Sequence, residues 1–163
     1  MQPDDVASVL EIEDAAFQSS WPDNAFRHEL EENRLAHYFV VRHDDIIVGF
    51  GGIWVIMEDS HITTIAVHPN WQRRRFGEAL LLTLLEQAIE RNAAWMTLEV
   101  RVSNQSAQRL YQKYGFTTVA TRRGYYTDNQ EDALVMWAGD LRGPLYRSRL
   151  AALRDQLSKQ LVF

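Results

Sequence analysis

Cysteine is absent from all 163 residues, which excludes disulfides, thiolate metal centres and a cysteine nucleophile. That composition fits a reducing compartment, and a cytoplasmic location is expected. Apolar runs are short: none approaches the roughly 20 residues that cross a bilayer. The start, Met1-Gln2-Pro3-Asp4-Asp5, has neither the basic stretch nor the apolar run of a signal peptide, so a soluble protein without a membrane partner is expected. Positive charge is not in excess either. The 17 Lys and Arg against 22 Asp and Glu give a formal net charge of −5, which argues against a broad footprint for nucleic acid. His28, His37, His43, His61 and His68 show no metal-ligand spacing, and no metal is expected. Repeats, linkers and low-complexity segments are lacking too.

What is present is 46% apolar residues, enough for one compact α/β domain with its own core. Val6, Val9, Leu10, Ile12 and Ala16 fall at helical spacing, with Asp4 or Asp5 placed to cap the first turn. Ser20-Trp21-Pro22-Asp23 ends that helix, and a second, short one is expected over Ala25 to Glu32. Two β-rich segments, Tyr38 to Val41 and Ile46 to Ile56, meet across Asp44-Asp45 as an antiparallel hairpin. A third strand is expected over Ile62 to Val67. The helix expected from Phe76 to Arg91 carries Leu80, Leu81, Leu84, Leu85, Ala88 and Ile89 over too wide an arc for a surface stripe, so it is expected to be buried against the sheet.

Met96, Leu98, Val100 and Val102 alternate with Thr97, Glu99 and Arg101, a strand that puts Glu99 on the face opposite the purely apolar row. Ser103-Asn104 can cap a helix over Gln105 to Tyr114, and Gly115 supplies its left-handed stop. Strands over Phe116 to Thr121 and Ala133 to Ala138, joined by a polar stretch near Tyr126 to Asp132, bring the sheet to about six. An amphipathic helix from Leu145 to Leu161 has Leu150, Leu153, Leu157 and Leu161 in register. Residues 1–140 are expected to form the main domain and 141–163 a helical extension that packs on it or pairs two subunits, as a monomer or weak dimer.

Charge is unevenly spread. Residues 1–34 hold nine acids against Arg27 and Arg34, and residues 142–163 hold Arg142, Arg147, Arg149, Arg154 and Lys159 against Asp155. Two solvated helix faces account for this as well as a binding role does; an acidic N-terminal third would attract a basic acceptor.

A strand ending at Val67 and turning into a buried helix gathers unpaired N–H groups at one point, an anion site that Arg73, Arg74 and Arg75 reinforce. The string Ile65-Ala66-Val67-His68-Pro69-Asn70-Trp71-Gln72-Arg73-Arg74-Arg75-Phe76-Gly77-Glu78-Ala79-Leu80 resembles motif A of the GNAT N-acetyltransferases, a loop that grips the pyrophosphate of CoA. Gln72 and Gly77 match, while Arg75 stands where the family usually has its first glycine. Either the loop takes a positive φ at 75, at a cost of about 1–3 kcal/mol for arginine, or its helical start does without one. Leu98 to Ala107, continuing to Leu110-Tyr111-Gln112-Lys113-Tyr114-Gly115-Phe116, resembles motif B of the family's RimI branch, which acetylates the N-terminal alanine of ribosomal protein S18. Arg123-Gly124-Tyr125-Tyr126 and Glu131-Asp132-Ala133-Leu134 match a third signature, and Ser19 to Phe26 looks like the helix pair that shapes the peptide groove. The family's first strand has almost no counterpart before Val6.

The resemblance implies a GNAT fold, a mixed central sheet with helices on both faces, and acetyl-CoA as co-substrate. It implies S18 as acceptor, with another protein N-terminus, a lysine or a small amine as the alternatives; a non-catalytic acyl-CoA-binding module is the alternative of another class. Glu99 takes the role of base and Tyr111 that of acid; otherwise Glu99 is a half-buried strand residue paired with an arginine and Tyr111 a packing aromatic. Ile65, Ala66 and Val67, the Gln72 to Glu78 loop and Asn104 are implied on the coenzyme side. Trp21, Tyr125 and Tyr126 border the acceptor groove, with Arg122-Arg123 nearby. The family fold also implies that the strands ending at Val67 and Val102 are parallel and part at their C-terminal ends, leaving backbone groups to meet the pantetheine arm and one N–H to polarise the acetyl carbonyl.

Overall fold

The computed structural model describes residues 1–17 and 21–161. Helices α1 (Val6–Ala16) and α2 (Asp23–Glu31) precede a hairpin of β1 (Ala36–His43) and β2 (Ile46–Ile56), then β3 (Asp59–Val67) and α3 (Phe76–Glu90). Next come β4 (Trp95–Arg101), α4 (Gln105–Lys113), β5 (Thr117–Tyr126), β6 (Glu131–Ala138) and α5 (Pro144–Gln160). Six strands form one mixed sheet in the order β1-β2-β3-β4-β6-β5, with β3 and β4 parallel and the other neighbours antiparallel. This is the expected sheet.

Local chemistry accounts for most element ends. Asp44 and Asp45 both adopt positive φ, 47° and 65°, the two-residue turn whose twist suits a hairpin. Gly115 takes φ 90° and passes its N–H to the Gln112 carbonyl, closing α4 as a left-handed stop. Asn104 caps the same helix, its Oδ1 accepting from the Ala107 N–H at 3.1 Å. Asp5 behaves otherwise than expected. It makes no cap bond to α1; its carboxylate accepts from the Gln2 N–H at 2.7 Å and from Arg42 at 2.6 Å, because a short 3-10 turn at Pro3–Asp5 precedes α1 and leaves Asp5 helical. Ser19 and Ser20 lie outside the described residues.

Two apolar layers sandwich the sheet. On one face Leu81, Leu84 and Leu85 of α3 meet Ile53, Met96, Leu98 and Met136, together with Tyr114, Leu141, Leu150 and Leu157. Each large apolar chain so buried contributes roughly 1.5–3 kcal/mol. The leucine seam of α5 therefore packs on the domain. On the other face Val6, Val9, Ile12 and Phe26 cover Tyr38, Phe50 and Ala66.

β5 runs five residues past the expected end, so Tyr125 and Tyr126 finish a strand rather than open a loop. It lies at the sheet edge and is exposed over most of its length, so its sequence has no apolar alternation to report. No described helix is long and apolar enough to cross a membrane.

Candidate active site

β3 and β4 share only three rungs: Asp59↔Trp95, Ser60↔Met96 and His61↔Thr97. Past them the strands part. The cause lies on the other side of β3, where Gly52 pairs with Thr64 but Ile53 with Ile62, so Thr63 is an extra, bulged residue. A bulge bends its strand, and Thr63 is pinned by a 3.1 Å hydrogen bond with the Tyr38 hydroxyl.

The parting opens a cleft of about 280 Å3 whose walls are Ile62 to Ile65 on one side and Leu98 to Arg101 on the other. Glu13, Phe17, Trp21, Asn104, Tyr111, Tyr125 and Tyr126 complete its lining. Glu99, Tyr111, Asn104, Ile65, Trp21, Tyr125 and Tyr126, singled out in sequence, thus share one space. A second hollow of about 540 Å3, lined by His61, Thr97 and three tryptophans (Trp54, Trp95 and Trp137), lies alongside; His61 bridges the two through Glu99.

Glu99 is mostly buried. His61 Nε2 stands 3.1 Å from its Oε2 and Arg122 Nε 3.5 Å from its Oε1. In the ring form whose Nε2–H faces Glu99, Nδ1 accepts from the Thr97 hydroxyl at 2.9 Å. The His61 hydrogen bond, against the opposing effect of burial and with help from the charge of Arg122, holds the Glu99 carboxyl below its ordinary range. His61 and Thr97 were not foreseen. With the strand expected to begin at Ile62, His61 fell outside it, and its match to Thr97 depends on a parallel register that no local pattern specifies.

Tyr111 is buried against Phe116, ring centroids 5.9 Å apart, and its hydroxyl has no hydrogen-bond partner among the described residues. Burial, with a smaller effect from Tyr126, pushes its pKa up, so the phenol keeps its proton throughout the physiological range. Tyr125 and Tyr126 meet edge to face at 5.1 Å. The Arg101 guanidinium sits 3.9 Å over the Tyr126 ring and is tied to Asp128 and Glu131. Burial pushes Tyr126 up to about 12.

Glu13 is 3% exposed, and its Oε2 has no hydrogen-bond partner among the described residues. Burial raises its carboxyl to about 7, opposed by a hydrogen bond from the Trp21 amide and assisted by Asp14. In the sequence it is one of nine acids in residues 1–34. One signal was available: Glu13 stands four residues after Val9, on the stripe of α1 that is otherwise core.

The turn after Val67 is built largely from main chain. Gln72 Nε2 donates to the Val67 carbonyl at 3.1 Å, and Arg74 lies 4.8 Å over the Trp71 ring. The first bond of α3 runs from the Ala79 N–H to the Arg75 carbonyl, so the N–H groups of Phe76, Gly77 and Glu78 have no acceptor inside the helix. Arg73 and Arg75 take φ of 61° and 69°; of the two possibilities at Arg75, the positive φ is the one realised. A Cβ at Gly77 would meet only Val67 Cγ2, at 3.7 Å, so no protein atom demands glycine there. Glu78 turns its carboxylate into the fold, where it accepts from Arg75 at 3.0 Å, Lys113 at 2.6 Å and Tyr114 at 3.0 Å. Burial opposes these bonds but does not outweigh them, and its carboxyl sits below the ordinary range. The backbone N–H of Glu78, by contrast, has no acceptor inside the helix.

A family model described as the acetyltransferase (GNAT) family matches residues 6–116. This chain belongs to the GNAT family. GNAT members are acetyl-CoA-dependent N-acetyltransferases, and this chain is one of them. A Bacillus subtilis (strain 168) protein named "putative ribosomal protein bS18-alanine N-acetyltransferase" is 45% identical over 137 residues, spanning 84% of this chain and 91% of that protein. The ribosomal protein bS18-alanine N-acetyltransferase of Escherichia coli K12 is 33% identical over 138 residues, 83% of this chain and 92% of the relative. The crystal structure of the ribosomal-protein-S18-alanine N-acetyltransferase from Escherichia coli superposes with a TM-score of 0.79 at 30% identity, covering 86% of this chain and 90% of that one. The mixed six-stranded sheet with its parted central strands is the GNAT fold.

Proposed function

We propose that this GNAT enzyme transfers the acetyl group of acetyl-CoA to the α-amine of the N-terminal alanine of ribosomal protein S18. The observation that carries the reading is the single cleft where β3 and β4 part, which holds Glu99, Tyr111 and the tyrosine pair together; the names of its relatives supply the acceptor. The pantetheine arm lies in the parting along the backbone of Ile65, Ala66 and Val67. The pyrophosphate sits on the free N–H groups of α3, including that of Glu78, with Gln72, Arg73, Arg74, Arg75 and Gly77 around it; Asn104 closes the other side. Trp21, Tyr125 and Tyr126 border the incoming N-terminus.

The acceptor nitrogen attacks the thioester carbon, the C–S bond breaks and the sulfur needs a proton. Glu99, ionised at neutral pH, is a proton acceptor acting through water, its weak basicity suited to the acidic N–H of the tetrahedral adduct. Tyr111 hands its proton to the thiolate; because burial makes it a weaker acid than a free phenol, placement beside the sulfur supplies the advantage. An α-amine, with a pKa near ~7.7–8.0, is far easier to deprotonate than a lysine near ~10.4. Residues 1–140 carry these groups and 141–163 brace α3 from behind, in a monomer or weak dimer. Intact-mass analysis after incubation with acetyl-CoA should show one acetyl group on an alanine-first S18 peptide and none on the same peptide with its amine blocked. An unmodified free peptide sinks the acceptor assignment.

A further inference from the structure

The cleft contains one group that the reaction above does not use. Glu13 is buried, it lines the same cleft as Glu99 and Tyr111, and its Oε2 has no hydrogen-bond partner among the described residues. A carboxylate oxygen left so is costly to the fold. This unpartnered acceptor thus belongs to a residue that lines the space the acceptor amine enters.

We propose that Glu13 is the receptor for the acceptor's α-ammonium: its open oxygen accepts an ammonium N–H and takes the proton that has to leave before nitrogen can attack. This rests on the reading of the cleft as the acceptor site. The charged and titratable groups around it are Asp14 on its own helix, Tyr38 on β1, Glu99 and Arg101 on β4, Tyr111 on α4, and Tyr125 and Tyr126 on β5. The tyrosines are all pushed upward and stay neutral, and Arg101 is engaged by Asp128 and Glu131. Glu99 is held low by His61. Glu13, at about 7, is the carboxyl matched to an amine near ~7.7–8.0, and a lysine ammonium near ~10.4 would keep its proton against it. The same group thus favours α-amines over side-chain amines.

The proton count closes. The ammonium brings three hydrogens. One passes to Glu13 and on to solvent; the N–C bond forms as the C–S bond breaks; one leaves the adduct through Glu99 and its water; one stays on the amide. Tyr111 protonates the sulfur and recovers a proton from solvent, so one proton is released per turnover.

The pH profile of kcat/KM tests this with the full chain and the alanine-first S18 peptide. For the parent, kcat/KM rises with pH through about 7 as Glu13 ionises. In Glu13→Gln, which keeps the side-chain volume, the limb moves up to that of the peptide amine. The variant is then about tenfold slower at pH 6.5 and within about twofold of the parent above pH 9, where the amine arrives neutral. Equal loss at every pH, or no loss at pH 6.5, overturns the proposal. A second readout needs no turnover: in glutamate carboxyl-labelled protein with CoA bound, alaninamide shifts the Glu13 carbon resonance and N-acetylalaninamide does not. Absence of that shift also overturns it, whereas a shift in an enzyme that leaves the S18 peptide unmodified removes S18 as acceptor and keeps Glu13 in its role.

Discussion

From Val67 to Glu78 the protein offers chiefly main chain: three N–H groups with no acceptor inside their helix, a glycine that no described atom demands, and arginines held in positive φ. Around Glu99 it offers side chains, brought from α1, β3, β4, α4 and β5 and each buried or held by another. A ligand met by backbone is gripped through geometry that survives most substitutions. Chemistry done by side chains depends on the proton affinity of each one, and substitutions at those positions should separate rate from coenzyme binding.

The largest expected break of that contrast is Tyr111→Phe. It should lower kcat about 100- to 1,000-fold by removing the proton for sulfur, while acetyl-CoA affinity, measured calorimetrically, stays within about threefold; a comparable loss of affinity would make Tyr111 a packing residue. Glu99→Gln should cost less, about 10- to 100-fold in single-turnover rate, because Glu99 works through water. If activity stays at the parent level, Glu99 is only the strand partner of His61 and Arg122.

On the coenzyme side the expected effects are on stability. Glu78→Ala leaves the buried Tyr114 hydroxyl without its acceptor and Lys113 without its counter-ion, and should cost about 1–3 kcal/mol in urea unfolding. Smallest is the comparison of Arg75→Gly with Arg75→Ala. At φ 69° glycine avoids the left-handed penalty, so the glycine variant should be about 1 kcal/mol more stable than the alanine one. The opposite order would mean that the loop relaxes to negative φ once arginine is gone.

Buried, strictly patterned parts were legible in sequence. The leucines of α3 wrap most of the helix because the sheet and α5 enclose it. The alternation of β4 put Glu99 on the correct face, and Gly115 and the Asp44-Asp45 turn declared themselves through the backbone conformations they tolerate. Periodicity did not assign chemistry to Glu99 or Tyr111; that came from family resemblance. The tyrosine end of β5 was hidden because an exposed edge strand needs no apolar pattern. His61 and Thr97 were hidden because they meet through a pairing between segments more than 30 residues apart. Glu13 stood in plain view on a core stripe, but a single acid among nine says nothing of its burial until the helix is docked.

The three rungs between β3 and β4 also bear on how the molecule holds together. They join two half-sheets, β1-β2-β3 and β4-β6-β5, which the bonds of His61 to Thr97 and Glu99 and the shared apolar layer under α3 also connect. On the proposed placement of the pantetheine arm, an arm in the parting would supply the missing ladder, and the same amides would serve coenzyme affinity and the mechanical coupling of the halves. Hydrogen exchange at Ile65 to Val67 should then slow when acetyl-CoA binds, by more than at any equal stretch of β2. In that sense the coenzyme would be a temporary strand, and on the proposed placement the enzyme would be most nearly a single cooperative unit while it holds its donor.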